Sequence, residues 1–155
     1  MAKDDSRDRA VRVWFRFVRL ESRIQSAVAE RLREIGLSVP QCDVLTTLTE
    51  AEGVSQQTLA ERLYVTKGNI SGLLDRLESA GLVERRSIAA DRRQYAIYLT
   101  QSGREAAERA IAVQHALVEA TLGRLGADDL AKFESLLIAT RDLVRGLAQR
   151  ETASA

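Results

Sequence analysis

Ile70, Leu73, Leu74 and Leu77 fall at i, i+3, i+4 and i+7, which commits them to one face of a helix whose apolar stripe must find a core. At about 3.6 residues per turn, the opposite side and its flanks carry Gly68, Asn69, Ser71, Gly72, Asp75 and Arg76. A glycine inside a helix costs roughly 1 kcal/mol relative to alanine, so a surface with no partner is better built from Ala, Glu or Lys. Small residues instead let a backbone come close to something outside it. Thr66 is placed to cap this helix, and Lys67 adds positive charge beside the free NH groups of the first turn, an end suited to phosphate oxygens. The competing reading is an ordinary solvated helix with a poor former or two.

The stretch before it reads as a shorter helix capped by Ser55, burying Leu59, Ala60 and Leu63 and leaving Gln56, Gln57, Glu61 and Arg62 towards water. Tyr64 and Val65 then fit a tight turn. Two helices joined so closely cross steeply, which presents the second to a major groove about 12 Å wide. After the second helix, Ser79-Ala80-Gly81-Leu82 reads as a left-handed glycine stop with an apolar residue folding back. Val83 to Ile88 and Tyr95 to Leu99 then pair as strands, with Tyr95, Ile97 and Leu99 alternating with Ala96 and Tyr98. Between them the AADRR segment is expected as a loop. Arg85, Arg86, Arg92 and Arg93 sit on or beside this hairpin against Glu84 and Asp91. Arginines on a projecting hairpin can enter a narrow minor groove, although a solvated charge cluster is the alternative. Asp91 and Arg93, two apart in extended chain, would point the same way, so the carboxylate could hold the guanidinium in place. The order helix, turn, helix, hairpin is that of a winged helix-turn-helix, in a chain that is mainly α with a small β-wing.

The TKGNISGLLDRLE helix, the GLVERR strand and the DRR tip followed by YAIYLT resemble the multiple-antibiotic-resistance regulator (MarR) family of bacterial transcription factors. The resemblance covers nearly the whole chain. It implies a cytoplasmic homodimer on pseudo-palindromic double-stranded DNA, often a repressor, and often released by a small anionic or phenolic ligand or by oxidation. Carried over by position, Thr66, Lys67, Asn69, Ser71 and Arg76 match recognition-helix positions, and Arg93 matches the wing arginine positioned by Asp91. Ser55, Gln56, Gln57, Gly68, Arg85, Arg86 and Arg92 complete the expected DNA-binding set.

Composition adds bounds. With 155 residues, 45% hydrophobic and 29% charged, the chain suits one domain with helical extensions, and its net charge of +1 does not advertise nucleic acid. The case rests on where the charges sit. Against a duplex with one charge per about 1.7 Å, a focused patch on a dimer suffices. A single cysteine excludes an internal disulfide framework and fits a reducing cytoplasm. No apolar run reaches the roughly 18 residues of a membrane span, and MAKDDSRDRA does not read as a signal peptide.

Residues 1–9 read as a frayed tail, and 10–36 as a long scaffold and dimerisation helix with Trp14, Val18, Ile24, Val28 and Leu32 among its apolar positions. Val11, Phe15, Phe17 and Leu20 load its first half on more than one side, which favours burial against a second subunit over packing within one domain. Residues 37–100 form the expected DNA-binding domain, opening on a capping box from Ser38 to Gln41 with Pro40 in the first turn. Residues 101–149 supply two C-terminal dimerisation helices, one capped by Thr100 and one from about Asp128 to Gln149, before a tail at 150–155. Paired through a two-fold axis, such helices would set two recognition helices about 34 to 36 Å apart.

Cys42 lies in a helix's first turn, where a thiol can be activated, but Asp43 opposes thiolate formation and a lone cysteine usually acts as a small apolar residue. A redox-responsive regulator acting through Cys42 is thus an alternative. His115, the single histidine, sits in an apolar stripe and completes no zinc set, so no metal or cofactor is expected. Trp14, Arg16 and His115 are candidates for an effector pocket in the crevices between the first helix, the Ser38 helix and the dimer helix. Without a glycine-rich phosphate loop or a His/Cys cluster, catalysis is not expected. A winged-helix module that binds protein instead of DNA remains a second alternative.

Overall fold

The computed structural model describes the backbone of residues 2–88 and 91–153, and the side chains of 5–87 and 95–147. The chain divides into two compact units, Met1–Gln114 and His115–Ala155.

The first unit opens with α1, Ala2–Glu34. It begins eight residues ahead of the start expected at Ala10, and the expected N-terminal tail is helical. Nothing among residues 2–9 breaks a helix, and Asp5 and Asp8 lie near the positive end of its macrodipole, where carboxylates are favoured. Only the C-terminal part of α1 enters the core, through fully buried Leu32 with Val28 and Ile35 against it. α2, Val39–Glu50, starts on the capping box: Gln41 N donates to Ser38 Oγ at 3.4 Å, and Ser38 N donates to Gln41 Oε1 at 2.9 Å. Its Cys42, Val44, Leu45 and Leu48 are buried.

Next come β1 (Val54–Ser55), α3 (Gln56–Arg62), α4 (Lys67–Ser79), β2 (Val83–Ile88), β3 (Asp91–Leu99) and α5 (Gln101–Ala120). The strands form one antiparallel sheet in the order β1-β3-β2, with Val54 opposite Ile97 and Val83 opposite Leu99. Sequence reasoning missed β1, whose two residues are too short to show an alternation. It also expected a loop where β3 begins: the strand starts at Asp91, not Tyr95, so only Ala89 and Ala90, outside the described residues, separate the strands.

The core gathers Leu59, Ile70, Leu74, Leu77, Ile97 and Leu99 onto the α2 leucines and Leu32. Burying each such side chain stabilises by about 1.5 to 3 kcal/mol, so the α4 stripe alone anchors that helix firmly. Gly81, at φ +70°, ends α4: Leu82 N reaches back to Leu77 O at 2.9 Å, a closure that needs a left-handed residue. The chain then returns tightly on itself. Thr100 N donates to Leu82 O at 3.1 Å, and Gly103 N donates to Thr100 Oγ1 at 3.0 Å, capping α5 against the same carbonyl. Glu52 ties the corner, accepting from Leu99 N at 2.8 Å and Arg104 Nη1 at 2.7 Å.

The second unit holds the end of α5, a 3-10 turn at Leu122–Arg124 and α6, Ala127–Ala153, four residues longer at its C-terminus than expected. Several of its apolar side chains are uncovered: Leu136, Leu143 and Leu147 are 67%, 73% and 61% exposed. Among the described residues, no helix is long and apolar enough to cross a membrane.

Candidate nucleic-acid interface

α3 and α4 are each set by a hydroxyl cap. Thr58 N donates to Ser55 Oγ at 3.0 Å, and Asn69 N donates to Thr66 Oγ1 at 3.3 Å. With Ile70, Leu73, Leu74 and Leu77 turned inward, Lys67, Gly68, Asn69 and Arg76 are exposed, and Ser71 is half-buried. A Cβ built on Gly68 would meet nothing within 4 Å, and one on Gly72 would meet only Arg76 Nη1 at 3.9 Å. The folded chain itself therefore does not require glycine at either place.

A concavity of about 610 Å³ opens between α3, α4 and the base of the hairpin, lined by Ser55, Gln56, Gln57, Lys67, Ser71, Asp75, Glu78, Arg85 and Tyr95. The fold thus brings together six of the residues expected from sequence. Tyr95 was missed because its alternation with Ile97 and Leu99 pointed inward; it is 43% exposed because β3 runs on past the core's edge.

The two arginines of β2 face opposite ways, as successive strand residues must. Arg85 turns onto α4, where Nη2 meets Asp75 Oδ1 at 2.6 Å and Ser71 O at 3.3 Å, and Nη1 meets Glu78 Oε2 at 2.6 Å. Its side chain is 15% exposed. Burial works against its charge, but the hydrogen bonds and charges of Asp75 and Glu78 outweigh that and hold the guanidinium above its ordinary pKa. Arg85, one of the residues expected at the DNA surface, thus clasps β2 to α4. The signal was present in the sequence: Asp75 and Glu78, at i and i+3, lie on one side of α4. Arg86, on the other face, pairs with Glu84 and lies 4.2 Å above the Tyr98 ring. The side chains of Asp91, Arg92 and Arg93, and with them the expected aspartate–arginine pairing at the tip, lie outside the described residues.

The remaining candidates lie elsewhere. Cys42 is fully buried, with Gln114 Nε2 directed at Sγ over 3.5 Å. Burial first, and the Asp43 charge second, push its pKa up to about 11. A redox-sensing thiol needs access and thiolate character, and this one has neither. Trp14 and Arg16 stand exposed on α1, and His115 is exposed on α5. Among the described residues, no group of His, Cys, Asp and Glu is placed to hold a metal ion.

Two capped helices in a tight turn, followed by a hairpin clasped to the second, define a winged helix-turn-helix protein of the DNA-binding class. The model of the MarR family matches residues 35–94. The chain is 34% identical over 101 residues to the transcriptional regulator HosA of Escherichia coli, covering 65% of this chain and 75% of that protein. Its fold is similar to that of AbsC, a MarR family transcriptional regulator from Streptomyces coelicolor (25% identity, TM-score 0.78, 86% and 93% of the two chains). It is also similar to a mutant E. coli MarR solved with operator DNA (28% identity, TM-score 0.72, 81% and 91% of the two chains). The chain belongs to the MarR family of DNA-binding transcriptional regulators, which are not enzymes.

Proposed function

We propose that this regulator acts in the cytoplasm as a symmetric homodimer on a pseudo-palindromic operator, repressing transcription until a small aromatic or anionic ligand releases it. The observation that carries the DNA-reading part is the pair of glycines on the exposed side of α4. Gly72, inside the helix, weakens it by roughly 1 kcal/mol relative to alanine, and neither glycine is needed for internal packing. Close approach by an external surface gives them a purpose, and the flanking Lys67, Asn69, Ser71 and Arg76 offer the donors that phosphates and base edges accept. Arg92 and Arg93 are assigned to the minor groove alongside, with Asp91 as the residue that positions Arg93.

Dimerisation is supported by what each unit leaves uncovered. In the first, Val13, Trp14 and Phe15 of α1 are 54%, 57% and 54% exposed. In the second, Leu136, Leu143 and Val144 of α6 are 67%, 73% and 56% exposed. Rows of apolar side chains this long on single helices call for a partner, and an isologous pairing supplies it. Repression and its relief are carried by the family resemblance, with Trp14 and Arg16 of the first unit as side chains assigned to the effector. Binding in such a dimer must favour the incompetent arrangement by several kcal/mol to clear the operator.

Asn69→Ala and Ser71→Ala test the recognition role. Each should flatten the preference among half-site sequences by about 1 to 3 kcal/mol, as lost base-edge contacts do. Competition binding against single-base variants of the operator reads this directly. An equal loss on every sequence would move both residues to the phosphates.

A further inference from the structure

Three helices of the first unit end in the same closure. Leu37 N donates to Leu32 O at 2.9 Å after α1, Val65 N to Ala60 O at 3.0 Å after α3, and Leu82 N to Leu77 O at 2.9 Å after α4. In each, the residue before the donor must be left-handed. Gly36 and Gly81 fill that position at φ +76° and +70°, but after α3 it is filled by Tyr64 at φ +53°. Among the described residues, Tyr64 is the only non-glycine with positive φ. An L side chain takes that conformation against its own sterics, and a bulky one is a true outlier there. Internal packing does not compensate, because the ring is 91% exposed.

The position explains what the strain could serve. Tyr64 is in the turn that delivers the chain to α4, two residues before the Thr66 cap. With Gln57, Glu61, Val65 and Lys67 it lines a concavity of about 500 Å³, which shares Gln57 and Lys67 with the larger concavity between α3, α4 and the hairpin. The phenol therefore flanks the surface assigned above to the operator. The neighbouring Glu61 carboxylate already accepts from Gln57 Nε2 at 3.1 Å.

We propose that the Tyr64 hydroxyl donates to a phosphate oxygen of the operator backbone at the edge of the groove that α4 enters. This rests on the DNA-reading role of α4 given above. A phenol O–H is a neutral donor suited to a phosphate oxygen, and such contacts fix register without reading bases. Left-handed backbone at a functional residue is one place where strain is tolerated. Because the group carries no charge, it releases no counterion and leaves the salt dependence of binding unchanged.

Tyr64→Phe and Tyr64→Gly, compared with the unaltered protein, separate the possibilities through mobility shifts on a duplex selected by that protein, with thermal melts alongside. Tyr64→Phe should keep the melting temperature and lower affinity about 10-fold or more, the size of a lost hydrogen bond to a charged group. The loss should be equal on preferred and altered half-sites, with an unchanged salt slope. Tyr64→Gly should bind at least as weakly while melting no lower than the unaltered protein, since glycine removes the left-handed strain. Full affinity in both variants overturns the proposal while leaving the operator reading intact. A lower melting temperature for Tyr64→Gly overturns it in favour of a structural ring, and a loss confined to some half-site sequences in favour of a base contact. Failure of the unaltered protein to bind any duplex overturns both readings.

Discussion

Gly103→Ala should destabilise the protein by about 3 kcal/mol or more, the scale of an overpacking error that the surroundings cannot absorb. A Cβ there would lie 1.8 Å from the carbonyl oxygen of Leu82, 2.9 Å from its carbon and 3.3 Å from Leu99 Cδ2. A side chain could rotate away, but this oxygen belongs to the backbone and accepts from Thr100 N at 3.1 Å. Relief would mean pulling α5 off the corner where β2 begins, and with it the cap on Gly103 N and the Glu52 contacts to Leu99 and Arg104. For a chain of this length the melting temperature should fall by roughly 2 to 4 °C per kcal/mol, so by about 6 to 12 °C. Gly126→Ala is the control, because a Cβ there meets nothing within 4 Å. Equal melting of the two variants would contradict the packing of α5 against Leu82.

The second large effect is on binding. Arg85→Ala removes the guanidinium that joins β2 to α4 through Asp75, Glu78 and the Ser71 carbonyl, and leaves only the backbone bond from residue 85 N to Glu78 Oε1 at 3.3 Å. It also leaves the Asp75 and Glu78 carboxylates without their arginine beside the surface that must accept a polyanion. Operator affinity should fall about 10- to 100-fold, matching the loss of charge-assisted hydrogen bonds worth roughly 1.5 to 3 kcal/mol. Arg85→Lys should recover only part of it, because an ammonium keeps the charge but lacks the planar fork that spans both carboxylates. The salt slope discriminates the mechanism. A clasp that positions the hairpin leaves the slope nearly unchanged, whereas a direct phosphate contact lowers it by about 1. A full unit of lost slope would return Arg85 to the DNA side.

How far the sequence could be read depended on the range of the interactions involved. The α4 stripe, the Ser38, Ser55 and Thr66 caps and the left-handed glycine at 81 are local, and all are legible from spacing. Orientation within the hairpin was not. Neighbouring arginines look alike in a sequence, and only the pairing of β2 with β3 shows that Arg85 meets α4 while Arg86 meets Tyr98. Tyr95 was misplaced for a related reason, since alternation gives the face of a strand but not where the core ends. β1 depends entirely on its partner strand: Val54 pairs with Ile97 across more than forty residues. Charge near a terminus suggests fraying, yet a charged helix free of breakers persists, and α1 therefore begins at Ala2 rather than Ala10. Tyr64 was read only as a turn residue, because its left-handed backbone has no signature in residue type.

The central claim is that α4, with glycines that its own packing does not require, reads a duplex from within a symmetric pair. Its most direct test is binding of the purified protein to a palindromic duplex selected from a random pool, with stoichiometry and affinity followed across salt concentrations. The account predicts two chains per duplex and a log–log salt slope near −0.9 for each phosphate neutralised, so about −4 or steeper for a few contacts per half-site. A protein that stays single-chained and binds no duplex even at low salt would contradict it.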